Sequence, residues 1–76
     1  MISKSLIEYI KTMYLLEKQK GEIRVTDVAS KMNCTKASVN KSVKILKENE
    51  LLNYETYGKI SLTENGVKLA KKTLEA

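Results

Sequence analysis

A chain of 76 residues, 42% of them hydrophobic, has enough apolar side chains for one compact core, which excludes a disordered polyelectrolyte. Fourteen Lys and Arg against nine Asp and Glu leave a net charge of +5, a balance that attracts polyanions such as nucleic acid or an acidic membrane face. Histidine is absent and cysteine occurs once, which excludes Cys-His catalysis, a Cys/His metal cage and an internal disulfide.

In chain order, Ser5-Leu6-Ile7-Glu8 has the spacing of a capping box and predicts a helix running to about Lys20. Leu6, Ile10, Met13 and Tyr14 recur at helical spacing, and Tyr9 and Leu16 widen that face. Gly21 is the expected stop. Residues 22–25, "EIRV", read as a short strand. Thr26 is the expected N-cap of a two-turn helix, with Asp27 in its first turn, where the helix dipole favours an acid. Val28, Ala29 and Met32 form its buried side, and "NC" makes a brief turn.

Thr35 is the N-cap candidate of a third helix that runs to about Asn49. At 100° per residue Val39, Val43 and Leu46 share one face, with Ala37, Lys41 and Lys44 roughly opposite and Lys36, Ser38 and Asn40 flanking. Ile45 lies off the buried face. From Val28 to Lys47 there are five lysines and no acid, whereas an ordinary solvated helix face mixes both signs.

The period changes at residue 51. Leu52, Tyr54 and Thr56 alternate with polar residues, as do Ile60 and Leu62, around a turn at Tyr57-Gly58. This predicts a two-stranded hairpin, which must pack on the helices because a lone hairpin is marginally stable. Thr63 caps a last helix to which Val67, Leu69, Ala70 and Leu74 offer apolar contacts.

The fold class that follows is mostly α with a small β-hairpin (α+β), in the order helix, short strand, helix, helix, hairpin, helix. Two helices joined by a short turn, the second one basic, with a hairpin behind them, make a winged helix-turn-helix. One domain is expected over residues 1–76, with the helix-turn-helix at about 26–49 and the wing at about 52–62.

A helix of this kind fits the major groove of B-DNA, and its N-terminal half reaches base edges. Asn40 and Lys41 are the expected base readers, since Asn suits adenine and Lys suits guanine. Ala37 lets the helix come close and offers a methyl to thymine. Thr35, Lys36 and Lys44 are placed for phosphates, Ser38 flanks them, and Lys59 sits at the expected wing tip. Tyr9, Tyr14 and Tyr54 are expected in core and hairpin packing; Tyr57, near the wing tip, also has a sugar or phosphate within reach. Cys34 reads as a small buried filler.

No enzyme is expected: there is neither a phosphate-cradling glycine loop nor a paired-carboxylate site. No stretch approaches the roughly 20 apolar residues of a membrane span, and "MISKSLIEYIK" has no signal-peptide pattern. With a single thiol, these features point to the cytoplasm. The expected function is a sequence-specific regulator of transcription on double-stranded DNA, acting as a repressor. The alternative is a winged-helix module that binds protein, to which Ile45 leans.

The stretches "SLIEYIKTMYLLEKQKGEIRVTDVASKM" and "SVNKSVKILKENELLNYETYGKISLTENGVKLA" together resemble the N-terminal DNA-binding domain of the diphtheria-toxin-repressor family of metal-dependent regulators, the iron-dependent repressors, most closely its manganese-transport-regulator branch. The resemblance implies operator binding as part of a homodimer and places Ala37 and Lys41 at base-contacting positions. It implies metal-binding carboxylates three residues apart on the first helix, at what are here Glu8 and Lys11. With one acid replaced by a cation, no histidine, and the family's dimerisation helices beyond this sequence, no metal cofactor is expected, and the chain reads alternatively as the DNA-binding half of a larger metalloregulator. The wing turn also departs, with "YGK" placing its glycine one position early. Partners are duplex DNA and a second copy, through Leu69 and Leu74 or the first helix, with a monomer as the alternative.

Overall fold

The protein is described by a computed structural model over residues 4–54 and 59–75. Its elements are α1 (Lys4–Lys20), β1 (Ile23–Arg24), α2 (Val25–Met32), α3 (Lys36–Glu48), β2 (Leu52–Tyr54), β3 (Lys59–Leu62) and α4 (Glu64–Glu75). The predicted turn at Tyr57-Gly58 lies outside the described residues, as does Tyr57 itself.

α1 is the helix on which the others pack. Its apolar stripe buries Tyr9, Ile10, Met13, Tyr14 and Leu16, with Leu6 half-buried at its start, and it touches α2, α3 and α4. The helix already includes Lys4, so Ser5 lies inside it and is not the N-cap; the carboxylate of Glu8 instead pairs with the Lys11 ammonium at 3.4 Å. Gly21 ends the helix as expected, with φ of 76° and its N–H on the Glu17 carbonyl at 2.8 Å.

The strand at "EIRV" is two residues long, and it is not isolated. β1 pairs antiparallel with β3, placing Ile23 opposite Ile60 and Arg24 opposite Lys59. β2 pairs with the other edge of β3, Leu52 opposite Leu62 and Tyr54 opposite Ile60, giving a three-stranded sheet ordered β1-β3-β2. The expected two-stranded hairpin thus gains a third strand. Ile23, Leu52 and Ile60 go into the common core, which is how so small a sheet becomes stable.

That pairing also moves the start of α2. Arg24, held extended in the sheet, is the N-cap, with φ −125° and ψ 149°, and it makes no side-chain cap bond. The helix leaves the strand directly at Val25, so Thr26 is not the cap. Asp27 does sit in the first turn, paired with Lys20 at 3.1 Å.

α2 and α3 are joined through Asn33, Cys34 and Thr35. Asn33 adopts a left-handed conformation with φ of 54°, and the N–H groups of Asn33 and Cys34 reach the carbonyls of Ser30 and Ala29. This six-to-one and five-to-two pattern closes the helix, and Asn tolerates the left-handed backbone better than most residues. Two contacts tie the turn and the end of α2 to α1: Tyr9 Oη lies 3.5 Å from Cys34 Sγ, and Thr12 Oγ1 donates to Met32 Sδ at 3.1 Å.

The C-terminal end of α3 repeats the closing pattern. Glu50 has φ of 59°, its N–H bonds to the Lys47 carbonyl, and the Leu51 N–H bonds to the Leu46 carbonyl. Thr63 then joins this exit to α4. Its N–H donates to the Leu51 carbonyl, its hydroxyl donates to the Glu50 carbonyl at 2.7 Å, and the same oxygen accepts from the Gly66 N–H at 3.2 Å, the expected cap. Val67 and Leu69 pack against the core and Ala70 is fully buried. Leu74 is more exposed than expected. It stands one turn past Ala70 and is 41% exposed.

Candidate nucleic-acid interface

α3 owes its position to the three residues that the apolar period picks out. Val39, Val43 and Leu46 are buried, so the remaining sides of the helix are presented to solvent. Thr35 caps it: extended at φ −83° and ψ 158°, its Oγ1 accepts from the Ser38 N–H at 3.1 Å and donates to Ser38 Oγ at 3.1 Å. Thr35, Lys36, Ala37, Ser38, Asn40, Lys41 and Lys44 are all exposed. α3 and its N-cap Thr35 therefore carry seven of the eight expected binding residues on a continuous surface.

The eighth, Lys59, is exposed but stands apart. It opens β3, the middle strand, opposite Arg24. β2 is the strand that packs most closely on α3, and β3 lies on its other side. Lys59 thus shares the β1 side with a second cation, although Arg24 is held by Glu22 at 3.0 Å.

The charge separation seen along the chain persists in space. Ion pairs engage Glu8 with Lys11, Asp27 with Lys20, Glu22 with Arg24 and Glu64 with Lys68. Among the described residues, Lys36, Lys41, Lys44, Lys47 and Lys59 hold no ion pair. Glu8, Glu22, Asp27 and Glu64 each have a local cation as partner, whereas the cations of α3 have no acid partner among the described residues. Glu48, exposed in the last turn of α3, sets the far limit of the favourable surface by repelling an anion there.

A cleft of about 400 Å³ runs between α3 and β2, lined by Asn40, Val43, Lys44, Lys47 and Tyr54. Lys47 and Tyr54 were not among the residues the sequence singled out for binding. The signal was present for Lys47, since Asn40, Lys44 and Lys47 follow at helical spacing on one stripe. Tyr54, expected in hairpin packing, is 37% exposed beside that stripe.

The Glu8 and Lys11 side chains contact each other on the first helix, and a single carboxylate already holding an ammonium does not fit a divalent cation. Among the described residues no group of three or more His, Cys, Asp or Glu could hold a metal ion.

Residues 1–60 match the iron dependent repressor family in its N-terminal DNA binding domain. The chain belongs to this family. It is 38% identical over 72 residues to the HTH-type transcriptional regulator MntR of Bacillus subtilis, a match covering 95% of this chain and 51% of that protein. This iron-dependent-repressor-family chain thus spans about half the length of the curated relatives it matches. Among solved structures it is similar to AF1382 from Archaeoglobus fulgidus, with a TM-score of 0.87 at 23% identity, over 99% of this chain and 86% of that one. It is also similar to ZitR of Lactococcus lactis, with a TM-score of 0.77 at 31% identity, over 99% and 51%. The architecture is accordingly a winged helix, four helices with a small antiparallel sheet. Among the described residues no helix is long and apolar enough to cross a membrane.

Proposed function

We propose that this chain is one winged helix-turn-helix domain that binds double-stranded DNA and regulates transcription without catalysing a reaction, as a repressor in the cytoplasm. The observation that carries the reading is the surface of α3, where Lys36, Lys41, Lys44 and Lys47 are exposed and unpaired among the described residues while Glu8, Asp27 and Glu64 on other helices hold cations. The family match and the winged-helix neighbours support it.

With α3 in the major groove, Asn40 and Lys41 reach base edges and the Ala37 methyl approaches a thymine methyl. Thr35, Lys36, Ser38 and Lys44 take the phosphates along the groove, and Lys59 takes one from the wing side. Two copies act on a two-fold related site. The pairing of Lys11 with Glu8 supports regulation without a metal between these side chains. In a longer protein this chain would supply the DNA-binding half.

The test is fluorescence anisotropy with the duplex upstream of the protein's own gene and a shuffled copy, across a salt series. Preferential binding to the native duplex that falls steeply with salt is expected. A protein-docking role is the second reading, favoured by the exposure of Leu15, Ile45 and Leu74. It takes first place if neither duplex binds at low salt.

A further inference from the structure

The cleft between α3 and β2 has a composition that a bare phosphate site lacks. Its floor is apolar: Val43 is 3% exposed, and Tyr54 lies on the same strand face as the buried Leu52, with its ring open to the cleft. Its rim is cationic: Lys44 and Lys47 stand one turn apart on α3, and neither holds an ion pair among the described residues. No acid lines it. Asn40 ends the stripe on the side nearest the N-terminal half of α3, where base edges are reached.

A ligand that suits such a cleft alternates apolar and anionic parts at short spacing. The sugar-phosphate backbone of DNA does so: a deoxyribose offers an apolar face, and a phosphodiester flanks it on each side. We propose that this cleft clamps one strand of the duplex, with Tyr54 and Val43 against a deoxyribose and Lys44 and Lys47 on the phosphates to either side. The inference rests on the DNA-binding reading of α3 and extends it to two residues, Lys47 and Tyr54, that carry no base-reading role. The clamp grips backbone between the recognition helix and the root of the wing, so it fixes how deeply and at what angle α3 enters the groove. Contacts of this kind position the protein without carrying sequence information themselves.

The role separates from base reading in a measurement. Lys47→Ala weakens the native and the shuffled duplex by the same factor and makes the plot of log affinity against log salt shallower by about 0.9. Lys47→Arg restores the slope. Tyr54→Ala also weakens both duplexes equally but leaves the slope unchanged, because it removes packing and no charge. A duplex carrying a neutral methylphosphonate at the clamped phosphate reproduces the slope change with wild-type protein, so the result does not depend on a variant's folding. With Lys47→Ala in place, that substitution has no further effect. The clamp is overturned if Lys47→Ala and Tyr54→Ala bind both duplexes as the wild type does while Lys41→Ala loses its preference for the native duplex. In that outcome α3 reads DNA and the cleft is idle. If wild-type protein binds neither duplex, the DNA-binding reading fails and the clamp fails with it.

Discussion

Gly66 in α4 lies against the backbone carbonyl of Leu51, so close that a β-carbon there would overlap the oxygen and crowd the carbonyl carbon at 3.1 Å. The contact exists because Thr63 ties the exit of α3 to the first turn of α4 through its backbone N–H and its hydroxyl. Alanine ordinarily helps a helix interior by about 1 kcal/mol over glycine. Here the obstacle is backbone and cannot rotate away. Gly66→Ala is expected to destabilise the fold by about 1–3 kcal/mol net, read as a lower urea midpoint. A raised midpoint would mean that α4 can slide off Leu51 at no cost.

Glu50 occupies the left-handed position that ends α3, with φ of 59° and a side chain open to solvent. A left-handed backbone costs a non-glycine residue about 1–2 kcal/mol. Glu50→Gly is therefore expected to stabilise by up to about 1 kcal/mol, after the added freedom of the unfolded chain is subtracted. The carbonyl that accepts from Thr63 is unaffected. Asn33→Gly should change less, because Asn tolerates the same conformation at the end of α2. Paired thermal melts of the two variants check the ranking.

Lys41 and Lys44 should fail differently on DNA. Lys41→Ala is expected to lose about 1–3 kcal/mol on the native duplex and much less on a shuffled one, because a base contact is lost. Lys44→Ala should weaken both alike and flatten the salt slope by about one. Anisotropy titrations of both variants across salt separate the roles, and unaltered affinity in both would remove α3 from the interface.

Metal should matter little to this chain. Glu8 is paired with Lys11, so manganese(II) or iron(II) has no carboxylate pair to join. Neither ion is expected to raise the melting temperature, whereas a ligand that binds only the folded state stabilises it in proportion to its occupancy. A concentration-dependent rise would reveal donors that the Glu8–Lys11 pair does not supply.

Tyr9 makes stability sensitive to alkali. Its hydroxyl bonds to Cys34 Sγ, and that bond together with its burial holds the phenol above its ordinary value of 10.0, against a smaller opposing effect from the Ser42 hydroxyl. The folded protein then keeps this proton more tightly than the unfolded chain. The associated stability is complete below pH 10 and is lost as pH climbs above it. Denaturation series on either side of that pH should show a steeper decline for the wild type than for Tyr9→Phe.

What the sequence determined by itself was local. The period of Val39, Val43 and Leu46 buried one side of α3, the hydroxyl of Thr35 capped it, Gly21 stopped α1, and the acid-free run from Val28 to Lys47 made the solvent side basic. Each of these follows from spacing within a turn or two of helix, so no distant partner was needed to read it. The tertiary structure decided whatever depended on a neighbour far along the chain. The short strand expected at residues 22–25 found its partner only in Ile60 and Lys59, and its pairing moved the start of α2 from Thr26 to Val25. Ser5 had the spacing of a cap, but α1 already includes Lys4. The close approach of Gly66 to Leu51, and the cleft that sets Tyr54 beside Lys44 and Lys47, join elements that no periodicity relates. Local hydrogen bonds and amphipathic spacing choose the elements; the burial of a shared core chooses which of them touch.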